Sequence, residues 1–485
     1  MRQGTIAKVT WLLMLGSLGA GSAQAATRRP NILFIVPDQL RAQSIGSAGN
    51  PDVRTPHLDR LAAEGVVFRQ AFANSPVCCP ARAVLLTGRY AHRNGMTAND
   101  LRLRESETTL AELLKAAGYR TGFIGKWHLD GGRREPGYVP PGDRRQGFDF
   151  WAASECSHNH FDNHYFRDDP TPIKLGKYEV EGWTDLAIDF LRRRDGRPFF
   201  LMVMMGPPHD PYRAPSRYES LYDPARLAMR PNWVDGTPMG SRQDIASYYA
   251  QISAIDDQVG RLMETLGDLH LRDETIVVFT SDHGDMLGSQ QQRLKRKPWE
   301  ESIRVPFFIS YPARVRPGTQ TSAIISHVDL APTLLSLCGL KVPATMQGSD
   351  LSKVVLGRSP AAPDSAFFQI FGPYNGDSTP FGWRGVRTER YMYARSRQQP
   401  WVLFDLDRDP YEMRNLVGEP SAAAVQAAME KKLGDWMKRT GDSWGYDWTE
   451  LVEDNGRLYA GDAFYSVEDY LKWAKAHPDL VPVSK

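Results

Sequence analysis

Four short apolar runs constrain this chain most: Ile32–Val36, Thr121–Ile124, Phe199–Met205 and Ile276–Phe279. A strand with one wet face alternates apolar and polar residues. These runs do not alternate, so both faces of each strand must be covered, as in a parallel sheet whose crossovers are helices. Helical spacing falls between them, over Thr55–Glu64, Thr108–Ala117 and Ile245–Leu266. The pattern predicts an α/β fold in which helices sandwich a large, mostly parallel β-sheet. A length of 485 residues leaves room for that domain and a smaller one.

Each run delivers chemistry at its end. Ile32–Val36 leads to Asp38, Thr121–Ile124 to Lys126 and His128, Phe199–Met205 to His209, and Ile276–Phe279 to Asp282 and His283. Open α/β sheets bind ligands outside the carboxyl ends of their strands, so these groups are expected along one edge. Taken singly, each is an ordinary loop residue; together they predict a site.

The tail has a different rhythm. Gly357, Pro360 and Pro363 interrupt the pattern, which places a boundary between residues 26–360 and a C-terminal subdomain, 361–485. There, Trp383–Arg395 and Val402–Leu406 alternate like an antiparallel hairpin with Ser396–Pro400 as its turn. Ser421 is the expected cap of a helix reaching about Lys438. The tail therefore reads as a small α+β unit with an antiparallel sheet.

Residues 1–25 have the form of a cleavable signal peptide. Arg2 and Lys8 precede the apolar stretch Trp11–Ala20, and Ala23-Gln24-Ala25 is a small-x-small cleavage site. This predicts a periplasmic or secreted protein. No later segment approaches the ~20 apolar residues of a membrane span. Lys+Arg total 59 against Asp+Glu 57, so no global basic field points to nucleic acid. Four cysteines, Cys78, Cys79, Cys156 and Cys338, are too few for a disulfide scaffold of this length, and a Cys156–Cys338 bridge stays open. A cysteine without an obvious partner in an oxidising compartment calls for a chemical explanation.

Cys78 is the strongest candidate. Pro80 suits a first helical turn and Ala81–Leu86 propagates a helix, which puts Cys78 at a helix N-terminus. The helix dipole and Arg82, one turn on, favour negative charge there and make a thiol reactive. A buried structural cysteine before a helix is the competing reading.

The segment Cys78-Cys79-Pro80-Ala81-Arg82, followed by Leu86-Thr87-Gly88, resembles the signature of the type I, formylglycine-dependent sulfatases of the alkaline phosphatase superfamily. The resemblance continues through Pro30-Asn31-Ile32-Leu33, Gly125-Lys126-Trp127-His128, Pro208-His209, Ser281-Asp282-His283-Gly284, Arg304-Val305-Pro306 and Ser326–Thr333, and reaches Phe404-Asp405-Leu406 in the tail. Ala81 departs from the Ser that many members carry. The resemblance implies an alkaline phosphatase-like fold and oxidation of Cys78 to formylglycine by a separate maturation enzyme. One hydroxyl of the hydrated aldehyde then attacks sulfur, and deprotonation of the other expels sulfate. It implies one divalent metal, calcium by family, held by Asp38, Gln39, Cys78, Asp282 and His283. Gln39 and His283 replace a more usual Asp and Asn, which leaves manganese, magnesium or zinc open and leaves Gln39 either a ligand or a hydrogen bonder behind the ligands. Lys126 and His128 match the pair that holds sulfate and handles the nucleophile's proton. His209 matches the group at the leaving oxygen, and Lys295, with Lys297 as competitor, matches a second sulfate-binding lysine.

The run Cys156-Ser157-His158-Asn159-His160, continuing to His164-Tyr165-Phe166, has metal-like spacing but no carboxylate or thiolate pair nearby. It is expected to form a loop over the pocket that recognises the alcohol, with Tyr374, Asn375, Trp383 and Arg384 contributing from the tail. The leading expectation is a sulfatase acting on a sulfated carbohydrate or aryl sulfate. The alternatives are a phosphonate monoester or phosphodiester hydrolase of the same superfamily, and a secreted binding protein that has lost catalysis.

Overall fold

The computed structural model describes residues 29–131, 137–238, 240–371 and 381–444, with Met1 and two short strands, Val452–Asp454 and Arg457–Tyr459. The expected signal peptide, Tyr374 and Asn375 lie outside the described residues.

In chain order the strands of the first part are β1 (Asn31–Pro37), β2 (Val66–Phe72), β3 (Arg120–Lys126), β4 (Phe150–Ser154), the short pair β5 (His164–Tyr165) and β6 (Ile173–Lys174), β7 (Phe199–Met205), β8 (Thr275–Phe279), β9 (Phe308–Ser310) and β10 (Thr319–Ser326). Eight of them form one sheet in the order β10-β2-β9-β8-β1-β7-β3-β4, and within it β9 alone runs antiparallel to its neighbours. All four apolar runs are strands, and they are consecutive in space as β8-β1-β7-β3. Their burial explains their lack of alternation. Ile32, Phe34 and Val36 enter one core with the helices Cys78–Thr87, Leu110–Ala116 and His327–Leu337. Leu33 and Ile35 enter the other core, with Pro56–Ala63, Glu179–Arg192 and Arg242–Asp268. Each large apolar side chain buried this way contributes about 1.5–3 kcal/mol, so the central strands are the most strongly specified part of the molecule.

The helices begin where their sequences provide partners for orphan N–H groups. Thr109 and Glu112 form a reciprocal capping box, as do Ser241 and Asp244. The second box starts its helix ahead of the apolar pattern at Ile245. Among the described residues, no helix is long and apolar enough to cross a membrane.

The tail forms a four-stranded antiparallel sheet of β11 (Ser365–Ile370), β12 (Trp383–Thr388), β13 (Tyr391–Ser396) and β14 (Pro400–Asp405), in that order. Two expectations change here. The stretch Trp383–Arg395 is two strands rather than one. It reverses at Glu389-Arg390 without a glycine or proline, through a hydrogen bond from the Tyr391 amide to Thr388 Oγ1 at 2.9 Å. Ser421 does not cap the final helix: it lies in the 3-10 turn Pro420–Ala422, which runs straight into Ala423–Thr440. The small sheet shares its core with the main body. Phe72, Val77, Ile303 and Ile324 pack with Ala366, Phe368, Trp383 and Met392.

Gly125 sets the delivery of Lys126. It has φ of +107°, and a Cβ there would stand 1.9 Å from the Met204 carbonyl oxygen on neighbouring β7. Gly125→Ala is expected to cost about 1–3 kcal/mol or more, read as a lowered Tm. Gly434→Ala, in a helix with nothing within 4 Å of the added atom, is expected to raise stability by about 0.5–1 kcal/mol. Equal melting of wild type and Gly125→Ala would contradict this account of the β3 edge.

Candidate active site

The helix Cys78–Thr87 is buried along its whole length and begins at the carboxyl edge of the sheet. Val77 offers no side-chain cap; instead Asn99 Oδ1 accepts the Cys79 amide at 3.0 Å. Asp38 follows β1, and Asp282 and His283 follow β8. Donor atoms of Asp38, Cys78, Asp282 and His283 all lie within 4.8 Å of one another. His283 Nε2 is 3.4 Å from Asp38 Oδ1, 3.7 Å from Asp282 Oδ1 and 3.4 Å from Cys78 Sγ. Two donors at right angles on a cation with bonds of ~2.4 Å stand about 3.4 Å apart. The set therefore fits a divalent cation, with two hard carboxylates and one imidazole converging beside the Cys78 sulfur.

Cations surround this set. Arg82 donates from Nη2 to Asp38 Oδ2 and from Nε to Asp282 Oδ2, both at 3.1 Å, and from Nη1 to the Lys126 carbonyl. Lys126 Nζ is 2.7 Å from Asp38 Oδ2. Burial and Cys78 push the Asp38 carboxyl up, but Lys126, His209 and Arg82 outweigh them and hold it far below the usual range. Burial and Asp38 raise Asp282. Burial opposes ionisation of Cys78, yet Lys295, Lys126 and His283 bring its thiol well below the ordinary value. The thiol is lowered as the sequence predicts, but chiefly by these cations from other elements rather than by Arg82.

Gln39 holds left-handed backbone, φ +70°. Its amide N–H, not its side chain, bonds the acidic pair, reaching Asp282 Oδ1 at 3.0 Å. Its side-chain amide donates to Asp285 Oδ2 at 2.6 Å, and its side-chain carbonyl accepts Lys295 Nζ at 2.5 Å. The basic run resolves in the same way. Lys295 Nζ lies 2.8 Å from His209 Nε2, whereas Lys297 Nζ turns back to the Arg293 carbonyl. It is Lys295 that reaches the site.

His128 also holds left-handed backbone, φ +56°. Its Nε2 is 3.0 Å from Asp100 Oδ1, and its Nδ1 is buried without a hydrogen-bond partner. Burial lowers its pKa, but Cys156, Cys79 and Asp100 raise it well above normal. Asp100 went unread in the sequence, where it is one acid in a loop without periodicity.

The loop after β4 packs on His209. His158 stacks on His209 with ring centres 4.3 Å apart and planes at 13°. His160 bridges Glu179 Oε2 at 2.7 Å and the His209 carbonyl at 2.9 Å. Glu179 Oε1 in turn accepts the Gly206 amide and the Trp183 indole N–H. Both imidazoles therefore serve His209, and among the described residues they join no metal-binding group. Trp383 and Arg384 are buried as well, Trp383 donating to the Arg296 carbonyl and Arg384 pairing with Asp442. A strand register cannot announce such contacts. All four cysteines are free, and Cys338 sits beside Tyr119 rather than Cys156.

Comparison with known proteins agrees with the geometry. The sulfatase family model matches residues 30–340, and a model for the C-terminal part of N-sulphoglucosamine sulphohydrolase matches residues 291–439. An ulvan-active sulfatase of Formosa agariphila is 40% identical over 421 residues, covering 85% of this chain and 82% of its own. An N-acetylglucosamine-6-O-sulfatase of Bacteroides thetaiotaomicron is 28% identical, covering 90% and 91%. A solved structure in complex with its substrate D-glucosamine-2-N,6-O-disulfate superimposes with a TM-score of 0.77 at 26% identity, covering 86% of this chain and 99% of that one. Fold, site and similarity agree: the chain belongs to the sulfatase family of the alkaline phosphatase superfamily and is a sulfuric ester hydrolase.

Proposed function

We propose that the enzyme removes sulfate from a sulfated carbohydrate of the kind its ulvan-active relative acts on, using residue 78, converted to formylglycine, as nucleophile. The observation that carries the reading is the convergence of Cys78 with Asp38, Asp282 and His283 inside a ring of Arg82, Lys126 and Lys295. That ring suits a tetrahedral oxyanion. A divalent cation, proposed as calcium because two carboxylates are hard donors, would be held by Asp38, Asp282 and His283 and would supply positive charge beside residue 78.

The chain's own groups divide the remaining work. Lys126 and Lys295 bind sulfate oxygens. Arg82 fixes both carboxylates and the strand end carrying Lys126, so the nucleophile helix cannot shift relative to the edge. His128, steadied by Asp100, handles the proton of residue 78. His209, with Nδ1 2.7 Å from the Asp210 carbonyl, directs Nε2 toward Lys295 Nζ, where the leaving oxygen would arrive. Cys78 is 1% exposed, so the maturation enzyme acts before the chain closes round that helix. The N-terminal signature supports export to the periplasm or exterior.

Three aryl esters (a sulfate, a phosphodiester and a phosphonate monoester) assayed in parallel test the reaction class. Sulfate turnover is expected to dominate and to fall by at least about 1,000-fold in Cys78→Ala. Dominant phosphonate turnover would transfer the protein to the alternative activity. Cation binding has a readout independent of turnover. Calcium added to the chelator-treated protein at 100 times its Kd is expected to stabilise it by about 2.7 kcal/mol, seen as a raised Tm, with the shift absent in Asp282→Asn. A shift that persists in that variant would place the cation elsewhere.

A further inference from the structure

Lys295 reaches His209 from a loop whose backbone is uphill. Between residues 286 and 297, Leu287, Gln290, Gln291, Leu294 and Arg296 all hold left-handed φ, from 43° to 72°, and none is glycine. Side chains with a Cβ keep such conformations only where the surroundings over-determine them. Part of the restraint is internal: the Met286 amide donates to the Leu294 carbonyl at 2.7 Å and Gly288 to Gln292 at 2.9 Å. The rest comes from elsewhere in the chain. Gln290 Nε2 donates to the carbonyls of Tyr411 and Glu412, at 2.7 and 3.0 Å.

The residue after Lys295 is pinned at both backbone groups. The Arg296 amide donates to the Pro76 carbonyl at 3.1 Å, two residues before Cys78. The Arg296 carbonyl accepts the Trp383 indole N–H at 2.9 Å. Trp383 opens β12, is fully buried, and stands edge-on to Trp401 with ring centres 6.3 Å apart. The C-terminal sheet thus reaches, through one indole, the peptide that follows the site lysine.

We propose that Trp383 is a positioning residue for catalysis: its N–H holds the Arg296 carbonyl so that the left-handed loop presents Lys295 to His209 and the sulfate. The proposal rests on the reading of Lys295 given above. It also gives the antiparallel sheet a function, as the abutment against which the active-site loop is set. The bland alternative is that Trp383 only fills the core it shares with Phe72, Ile303 and Met392.

A double-mutant cycle on kcat/KM for an aryl sulfate, with the full mature enzyme, separates the two. Lys295→Ala is expected to lose about 100-fold, and Trp383→Phe about 10-fold, the scale of a small misplacement. If Trp383 acts through Lys295, the double variant stays within about 2-fold of Lys295→Ala alone. Where the smaller ring costs folding, replacement of Trp383 by its sulfur isostere, benzothienylalanine, keeps the shape and removes only the N–H; the same loss is expected, with Tm nearly unchanged. Losses that multiply to about 1,000-fold, or full activity without the N–H, would overturn the proposal while leaving Lys295 in place. Full activity of Lys295→Ala would instead overturn the reading of Lys295 itself, and this inference with it.

Discussion

One buried guanidinium organises the catalytic edge. Arg82 is fully buried and satisfies its donors on Asp38 from β1, on Asp282 beyond β8, and on the carbonyl of Lys126 at the end of β3. Removing one partner from such a set strands a charge in a low-dielectric interior, which typically costs about 3–5 kcal/mol. The helix that begins at Cys78, whose second turn carries Arg82, is thereby locked to three strand ends at once. Where residue 78 sits follows from that lock.

The lock also sets the electrostatics. Two carboxylates, an imidazole and a thiol of lowered pKa share a small volume with Arg82, Lys126 and Lys295. Lys126 and Lys295 lend positive charge to Cys78, and a cation held by the carboxylates would add more. Behind them a ring of neutral or paired groups fixes orientation. Asp100 holds His128, Asp285 holds Gln39, and the Glu179–His160 pair holds the backbone that carries His209. The outer contacts use few atoms each, yet they decide which face of each catalytic side chain is free.

Much of this was legible in the sequence, for identifiable reasons. The central strands are buried on both faces, so their apolar runs do not alternate, and their carboxyl ends carry the chemistry that the sheet topology requires. The Cys78 segment, with Pro80 and Arg82, marks a helix N-terminus outright. What stayed hidden depends on backbone conformation that leaves no compositional trace. The turn between β12 and β13 contains no glycine or proline, and Ser421 looks like a cap although Pro420 has already begun the turn. Lys295 and Lys297 are indistinguishable in a basic run until left-handed residues alternate their directions. That His158 and His160 face His209 leaves no trace in their spacing along the chain. Trp383 was expected among the groups that recognise the alcohol, and a strand's first residue gives no sign that it bonds the Arg296 carbonyl instead.

The central claim is that residue 78 is a converted, oxygen-bearing nucleophile set beside the acidic pair. Its most direct test is mass spectrometry of the peptide spanning residues 78–82 from fully active, exported enzyme. An aldehyde at position 78, trapped by a hydrazide reagent, is the predicted result. An intact thiol at that position in fully active protein would contradict the account.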